Sequence, residues 1–353
     1  METVQKSSFR LFLERKDIIF SWKRYAIDAM SAMAQGLFAS LLIGTIISTL
    51  GSQLHIELLS TVGAYAMKSA GPAMAVSIGY ALNAPALVLF TLAGVGIAAN
   101  EFGGAGGPLA VLIIAIIASE LGKAVSKETK IDILVTPFVT ILSGVALSAL
   151  IAPAIGSAAS SVGKAIMWAT ELQPLLMGII VSVIVGIALT LPISSAAICA
   201  ALGLTGLAGG AAVAGCCANM VGFAVMSYKE NKIGGLVSQG LGTSMLQMGN
   251  IVRNPKIWIP PIIASAITGP IATCIFHLQM NGQPIASGMG TCGLVGPIGV
   301  WTGWIKTGTG GTGFDWLGLI LIAVVLPAII SYIVCAYMRK KNWIKENDLK
   351  LDL

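Results

Sequence analysis

The chain has 353 residues, of which 56% are hydrophobic and only 10% are charged, and its mean hydropathy is +0.88. Soluble domains carry about 25% charged residues, so this composition excludes an ordinary soluble domain and predicts an all-α polytopic membrane protein. The net charge of +6 does not indicate nucleic-acid binding, because the basic residues cluster at the two ends of the chain.

The N-terminal segment 1–25 combines six basic residues with apolar and aromatic ones, and it lacks the apolar stretch and cleavage site of a signal peptide. We predict an amphipathic cytosolic segment that lies on the inner membrane surface. Five further basic residues follow the last apolar run, in a basic cytosolic tail, 339–353. The positive-inside rule therefore predicts that both termini are cytosolic and that the number of spans is even.

Between these ends, apolar runs of about 20 residues predict ten spanning helices in a single transmembrane domain, 26–338. The loop 123–130 carries three lysines, as the cytosolic side should. The second span contains a lysine and a Gly-Pro pair within 68–72, so we expect that helix to be broken, tilted or partly interfacial. Small residues in 153–172 predict a short surface helix at the outer face. The ten spans are 26–50, 58–81, 84–100, 106–122, 131–152, 173–191, 207–227, 257–277, 286–304 and 317–338.

Two other segments do not look like simple spans or loops. Residues 192–206 begin with a proline and are too short to cross twice, which predicts a re-entrant hairpin. Residues 228–256 would be external in the ten-span arrangement, yet they contain four basic residues. Either the positive-inside bias fails there or part of the segment re-enters. Its glycines favour re-entry, since irregular backbone at membrane depth must be buried in protein or line a cavity.

Polar residues beside breaks in apolar helices are candidates for binding a solute, because burying them in a bilayer is costly. Asn100 and Glu101 precede a glycine-rich break, and Glu101 could bind a sugar hydroxyl, carry a coupling proton or simply mark the membrane interface. In a second candidate group a proline leaves a backbone carbonyl without its helical donor, and three hydroxyls stand nearby. The alternative to a binding site is a plain proline kink in the helix. This group consists of Thr190, Pro192, Ser194 and Ser195.

Uncharged amides form the remaining candidates. Asn219 lies in an otherwise apolar helix, and Gln247 and Asn250 follow Ser244 in a glycine-rich stretch. An amide both donates and accepts hydrogen bonds, as a neutral polyhydroxylated ligand requires. The alternative for Asn219 is a hydrogen bond between helices.

We expect no catalytic residue, metal or cofactor in this chain. His55 and His277 have no carboxylate or cysteine at convincing ligand spacing, and the six cysteines lie mostly in apolar stretches, where they pack as small hydrophobes. No phosphate-binding loop or nucleotide fingerprint is present in the sequence. ATP-driven transport by this chain alone is therefore not expected.

Glycine patterns in two stretches suggest a family. The stretch 86–124, with its glycines and Asn100, resembles the membrane-embedded IIC component of bacterial sugar phosphotransferase systems, and so does 288–297. Over nearly its full length the chain is most similar to the IIC-like branch that includes the PfoR-type regulators. The resemblance implies ten spans, re-entrant hairpins, a homodimer in the bacterial cell membrane, and a sugar-like substrate moved inward by an elevator-like movement.

The resemblance also implies separate IIA and IIB proteins as partners, with IIB phosphorylating the substrate. Glucose-type relatives carry a Glu-Pro-Ile motif whose carboxylate contacts the sugar. The comparable place here is Leu191-Pro192-Ile193, and leucine can neither accept a proton nor orient a hydroxyl. Coupled phosphorylation is therefore in doubt.

The leading hypothesis is a IIC-like permease for a sugar or a related small polyhydroxylated solute. One alternative is a membrane sensor derived from such a permease, which would act on gene expression through a partner. Another is an ion-coupled carrier, with Glu101 and Asp28 as candidate proton or cation ligands.

Overall fold

The computed structural model describes residues 8–351, and within them the chain is almost entirely helical, without a β-strand. Helices satisfy their backbone hydrogen bonds internally, which an apolar surrounding demands. In chain order the helices are α1 (Ser8–Arg15), α2 (Lys23–Leu54), α3 (Glu57–Lys68), α4 (Ala70–Ala81), α5 (Ala86–Gly103), α6 (Gly107–Val125), α7 (Asp132–Thr170), α8 (Pro174–Thr190), α9 (Ser195–Ala201), α10 (Gly206–Met226), α11 (Tyr228–Val237), α12 (Met248–Arg253), α13 (Pro255–Ile275), α14 (Val295–Thr307) and α15 (Gly313–Lys340).

Among these residues, six helices are long and apolar enough to cross a bilayer: α2, the pair α5 and α6 as one 40-residue unit, α7, α10, α13 and α15. The chain is therefore a multi-pass membrane protein. Helix α8 is shorter but equally apolar. The ten crossings stay a prediction.

The expected break in the second span is confirmed at Ser69, between α3 and α4. Pro72 lies in the first turn of α4, where its missing N–H breaks no helical hydrogen bond. The short surface helix expected at 153–172 is absent, because α7 runs for 39 residues through Pro153 to Thr170. Its C-terminal part packs closely against neighbouring segments: Gly156 packs against Gly103, and Gly163 packs against the side chain of Leu202.

Two segments in the second half of the chain, 191–205 and 284–307, turn back before the next long helix begins. We call them the two reversals. Helices α8 and α10 run in the same direction, because Ser182 contacts Gly215 and Thr190 bonds to Asn219. Residues 191–205, which include the short helix α9, therefore return along α8 before α10 begins.

The second reversal involves 284–307, where the sequence predicted a span over 286–304. The structure has instead two 3₁₀ turns, Pro284–Gly288 and Cys292–Leu294, followed by the 13-residue helix α14. The chain doubles back, since Gly303 of α14 packs against Asn281. The two reversals meet where Ser195 Oγ donates a hydrogen bond of 2.8 Å to Gly288 O.

One end of the helix assembly gathers the first and the last of the described segments, and we call it the basic face. It comprises 10–25, 82–85, 120–132, 228–256 and 339–351. Lysines and arginines of the described residues concentrate there. The exceptions are Lys68, Lys164 and Lys306.

Hydrogen bonds join the segments of the basic face. Arg24 Nη2 and Lys123 Nζ both donate to Leu82 O, at 2.6 and 3.0 Å. Asn250 Nδ2 donates to Lys350 O at 2.8 Å, which ties 228–256 to the C-terminal tail. The four basic residues of 228–256 thus lie on the same face as both termini, and they no longer conflict with the positive-inside pattern.

Ion pairs fix the N-terminal segment to this face. Arg24 Nη2 lies 2.6 Å from Asp17 Oδ2, and Asn83 donates to the same carboxylate. The hydrogen bond from Arg24 lowers the pKa of Asp17 to about 2, with help from Asn83 and from the charge of Lys123, although burial opposes the shift. The aromatic rings of Phe20 and Trp22 remain exposed. The position of this segment on the membrane surface stays a prediction.

The C-terminal tail is folded onto the protein rather than extended away from it. Ile344 and Leu349 are 2% and 0% exposed, within the core cluster that also contains residues of α2 and α12. Asn254 Nδ2 donates to Trp343 O, and Asn231 Nδ2 donates to Leu349 O at 2.7 Å. The basic tail predicted for 339–353 is thus a packed element up to residue 351, and residues 352 and 353 lie outside the described range.

Candidate functional site

A cavity of about 240 Å³ lies where the α5–α6 break, the return after α8 and the break at Gly242-Thr243 meet. Asn100, Ser194, Ser195 and Thr243 supply the polar side chains of its wall. The rest of the wall is apolar or glycine, as in most pockets for small ligands. The apolar part consists of Leu37, Leu41, Leu42, Met67, Ala70, Pro108, Leu189, Ile193, Ala196, Ala197, Met245 and Met289.

The backbone explains how these breaks come together. Gly104 ends α5 with φ +49° and ψ −120°, a conformation that an L side chain rarely adopts. The 3₁₀ turn Gly104–Gly106 then leaves Ala105 O free to accept a hydrogen bond of 2.8 Å from Ser194 N. The glycines therefore place Asn100 beside the serines of the α8 return.

Three of the four polar side chains in the cavity wall keep an unused hydrogen-bond donor. The amide of Asn100 makes no hydrogen bond to any residue within 8–351. Ser194 Oγ accepts from Ala197 N at 3.1 Å and Thr243 Oγ1 accepts from Met245 N at 3.1 Å, so each hydroxyl still has a proton to donate. A ligand with several hydroxyl groups could pair with all three.

None of the described residues that line this cavity is ionisable. Glu101, one residue after Asn100, is exposed and does not belong to the wall. The side chains of the cavity wall therefore carry no formal charge, and none of them exchanges protons in the usual pH range. The same residue types do not suit a metal, and no cluster of three or more metal-ligating side chains occurs in the described part of the chain.

Two of the predicted site residues, Thr190 and Asn219, belong to a hydrogen-bond network between helices. Asn219 Nδ2 donates to Gly215 O and to Ser265 Oγ, each at 3.1 Å. Its Oδ1 accepts from Thr190 Oγ1 at 3.3 Å and from Trp258 Nε1 at 3.1 Å. Both side chains are fully buried. The amide has no capacity left for a ligand, so it joins α8, α10 and α13.

Gln247 and Asn250 are likewise saturated. Gln247 Nε2 donates to Gln239 Oε1 at 2.8 Å and to Leu349 O at 3.0 Å, while its Oε1 accepts from Asn250 Nδ2. The second proton of Asn250 Nδ2 goes to Lys350 O. These amides hold the C-terminal tail. They do not line the cavity.

Two predicted residues remain. The hydroxyl of Ser195 donates its proton to Gly288 O. Pro192 is buried in the turn between α8 and α9. The proline thus ends a helix rather than kinking one. Leu191, at the place of the glucose-type glutamate, packs against two hydrophobic clusters and does not line the cavity.

A second cleft, of about 540 Å³, lies between α14 and the half of α2 that is farther from the basic face. Polar side chains recur at helical spacing along its α2 wall, at Thr45, Ser48, Thr49, Ser52 and Gln53. Met67 lines both this cleft and the cavity. The flexible side chain of Met67 thus forms part of the wall of both spaces.

Sequence reasoning missed Thr243 and Met67. Thr243 follows a glycine at a helix break and precedes Ser244, which was noticed, so the break itself was the available signal. Met67 gives no such signal, because a methionine in an apolar helix looks like any core residue.

Comparison with known proteins gives one finding. The family model described as "Phosphotransferase system, EIIC" matches residues 27–351, which is nearly the whole chain. No curated protein and no solved structure matches.

Proposed function

The chain belongs to the EIIC family of the phosphotransferase system, and from this premise we propose that it is a membrane permease for a sugar or a related small polyhydroxylated solute. The observation that carries the proposal is the spare hydrogen-bonding capacity of Asn100, Ser194 and Thr243 around one uncharged cavity. Neutral hydrogen-bonding groups on an apolar wall suit a solute with many hydroxyls and no charge.

We place the basic face in the cytosol, since lysine and arginine are enriched on that side of membrane proteins. Both termini are then cytosolic. The polar cleft between α2 and α14 opens toward the other side, and solute would pass Met67 to reach the cavity. The two reversals, 191–205 and 284–307, act as the re-entrant hairpins of a moving unit that carries the solute inward in an elevator-like manner. A homodimer of this unit is part of the proposal.

Phosphorylation of the solute would require separate IIA and IIB proteins. The cavity lacks a carboxylate to orient the hydroxyl that receives a phosphoryl group, because Leu191 packs elsewhere and Glu101 is exposed. We therefore propose that translocation does not depend on phosphorylation. The absence of an ionisable side chain from the wall also counts against an ion-coupled carrier with Glu101 or Asp28 in the site.

The experiment that tests this proposal is uptake of radiolabelled hexoses, pentoses and polyols by the purified chain in liposomes, without partner proteins. We expect saturable uptake or exchange of one compound, insensitive to pH and sodium. Uptake that occurs only after IIA, IIB and a phosphoryl donor are enclosed would show that transport is coupled to phosphorylation.

A membrane sensor of the PfoR type is the second candidate, favoured by the missing carboxylate. It would bind the same solute without moving it. Binding of a sugar to the purified chain, measured by calorimetry, together with no flux under either liposome condition, would establish this alternative and overturn the permease.

A further inference from the structure

A cleft on the basic face has the chemistry of a site for an anionic phospholipid. It encloses about 690 Å³ between α11 and the last turns of α15. Its wall contains apolar and aromatic side chains, among them Leu236 and Tyr332. Three cations line it: Lys229, Lys232 and Arg339. We propose that this cleft binds one phosphatidylglycerol-like lipid, with the phosphate at the lysines and an acyl chain along the apolar side chains of the wall.

The charge balance of the cleft favours an anion. Arg339 is paired with Glu230 at 2.6 Å, so these two charges offset each other. Lys229 lies 4.0 Å from Glu346, but both side chains are more than 70% exposed, and such a pair contributes little. Lys232 has no acidic partner within residues 8–351. A phosphate would supply the missing counter-charge.

The backbone of Lys232 adds an independent observation. Its φ of +52° and ψ of −149° interrupt α11, and this region of conformational space is normally reserved for glycine. Glycines are available two and three residues later, yet the strained conformation falls on the lysine. Strain of this kind persists only where the surrounding structure fixes it. The residue in this conformation lines the cleft, and a glycine at 232 would supply no cation there.

The surroundings select a lipid rather than a soluble anion. Tyr332 in the cleft wall is 60% exposed. Ile233 and Val237, which follow the lining residues Lys232 and Leu236 in the chain, are 67% and 47% exposed, and such apolar surface suits acyl chains. Basic pockets between transmembrane helices on the cytoplasmic side are known to hold anionic headgroups, and the inner leaflet supplies them. A free phosphate would contact the lysines and leave the apolar side chains of the wall without a partner.

The test compares the wild type with the double variant Lys229→Gln/Lys232→Gly. Glycine relieves the strain at position 232, so this variant should unfold at the same temperature as the wild type or higher. The matched control is Lys127→Gln/Lys130→Gln, which removes two cations from another part of the basic face. Each protein is placed in nanodiscs of phosphatidylcholine with increasing phosphatidylglycerol, and bound lipid is counted by native mass spectrometry after release.

We expect one retained phosphatidylglycerol in the wild type and the control, and about a tenfold or greater loss of apparent affinity in the cleft variant. Equal retention by wild type and cleft variant would overturn the proposal. So would an equal loss in the control, which would indicate a general surface potential. Displacement of the lipid by millimolar inorganic phosphate would assign the site to a soluble anion, and specific capture of a soluble protein competed by the lipid would assign it to a protein partner.

Discussion

Two groups of polar residues look alike in the sequence and differ in the structure. Asn100 and Ser194 belong to the cavity and retain unused donors. Gln247 and Asn250 belong to the basic face and have both amide protons bonded, two of the four to carbonyls of the C-terminal tail. The first group can bind a ligand, and the second group already binds a segment of its own chain.

The difference teaches that a polar residue in an apolar sequence has to be judged by its remaining hydrogen-bonding capacity. A buried amide whose partners are all protein atoms stabilises the fold, since losing one partner costs the desolvation of the other. An amide beside a cavity with no protein partner is available to a solute. Changes in the two groups should therefore separate stability from binding.

The largest expected effect on stability comes from removing the tail. A chain that ends at Asn342 loses the burial of Ile344 and Leu349, which is worth about 1.5–3 kcal/mol for each side chain. It also leaves the amides of Gln247 and Asn250 without their carbonyl partners. We expect a lower unfolding temperature by scanning fluorimetry. An unchanged temperature would mean that the tail is not packed as described.

A smaller effect is expected for Gln247→Leu, which keeps the side-chain volume but leaves Gln239 Oε1 and one amide proton of Asn250 without their partners. The expected loss is about 1–3 kcal/mol, the cost of a buried unpaired polar group. The control is Gln53→Leu in the polar cleft, where the side chain is exposed. The control should change stability by less than about 0.5 kcal/mol. Equal stability of the two variants would contradict the distinction between the bonded amides of the basic face and exposed amides elsewhere.

The smallest effect concerns the N-terminal segment and depends on pH. The pKa of Asp17 is lowered to about 2 by Arg24, so its contribution is present above the unfolded value of about 3.9 and is lost as the pH falls toward 2. We expect the fluorescence of exposed tryptophans, Trp22 among them, to change over this range in nanodiscs. In the variant Asp17→Asn the fluorescence should change less over the same pH range, because the N-terminal segment no longer contributes to the change. A change of equal size in both proteins would exclude Asp17 as its cause.

The sequence was sufficient for features that depend on local composition. The apolar runs, the break near Pro72 and the glycine-rich break after Asn100 are all present in the structure. These features follow from local backbone chemistry and from the length of apolar segments.

The partners of the polar side chains could not be predicted, because they lie far away in the chain. The hydrogen bond from Gln247 to Leu349 joins residues 102 positions apart, and the sequence near either residue does not predict it. Likewise, the continuation of α7 through Pro153 depends on contacts made by Gly156 with Gly103. Asn100 and Ser194 were predicted as site residues for a sound reason, proximity to a break, but the same reasoning included Gln247 and Asn250.

The most direct test of the central claim is a paired comparison of Asn100→Leu and Asn250→Leu in the same liposome uptake assay, with unfolding temperatures measured in parallel. For Asn100→Leu we expect about a tenfold loss of uptake, corresponding to one lost hydrogen bond of about 1.4 kcal/mol, and an unchanged unfolding temperature. For Asn250→Leu we expect a lower unfolding temperature, and uptake per folded molecule close to that of the wild type. The opposite pattern, with uptake lost on changing Asn250 and retained on changing Asn100, would contradict the assignment of the cavity as the solute site.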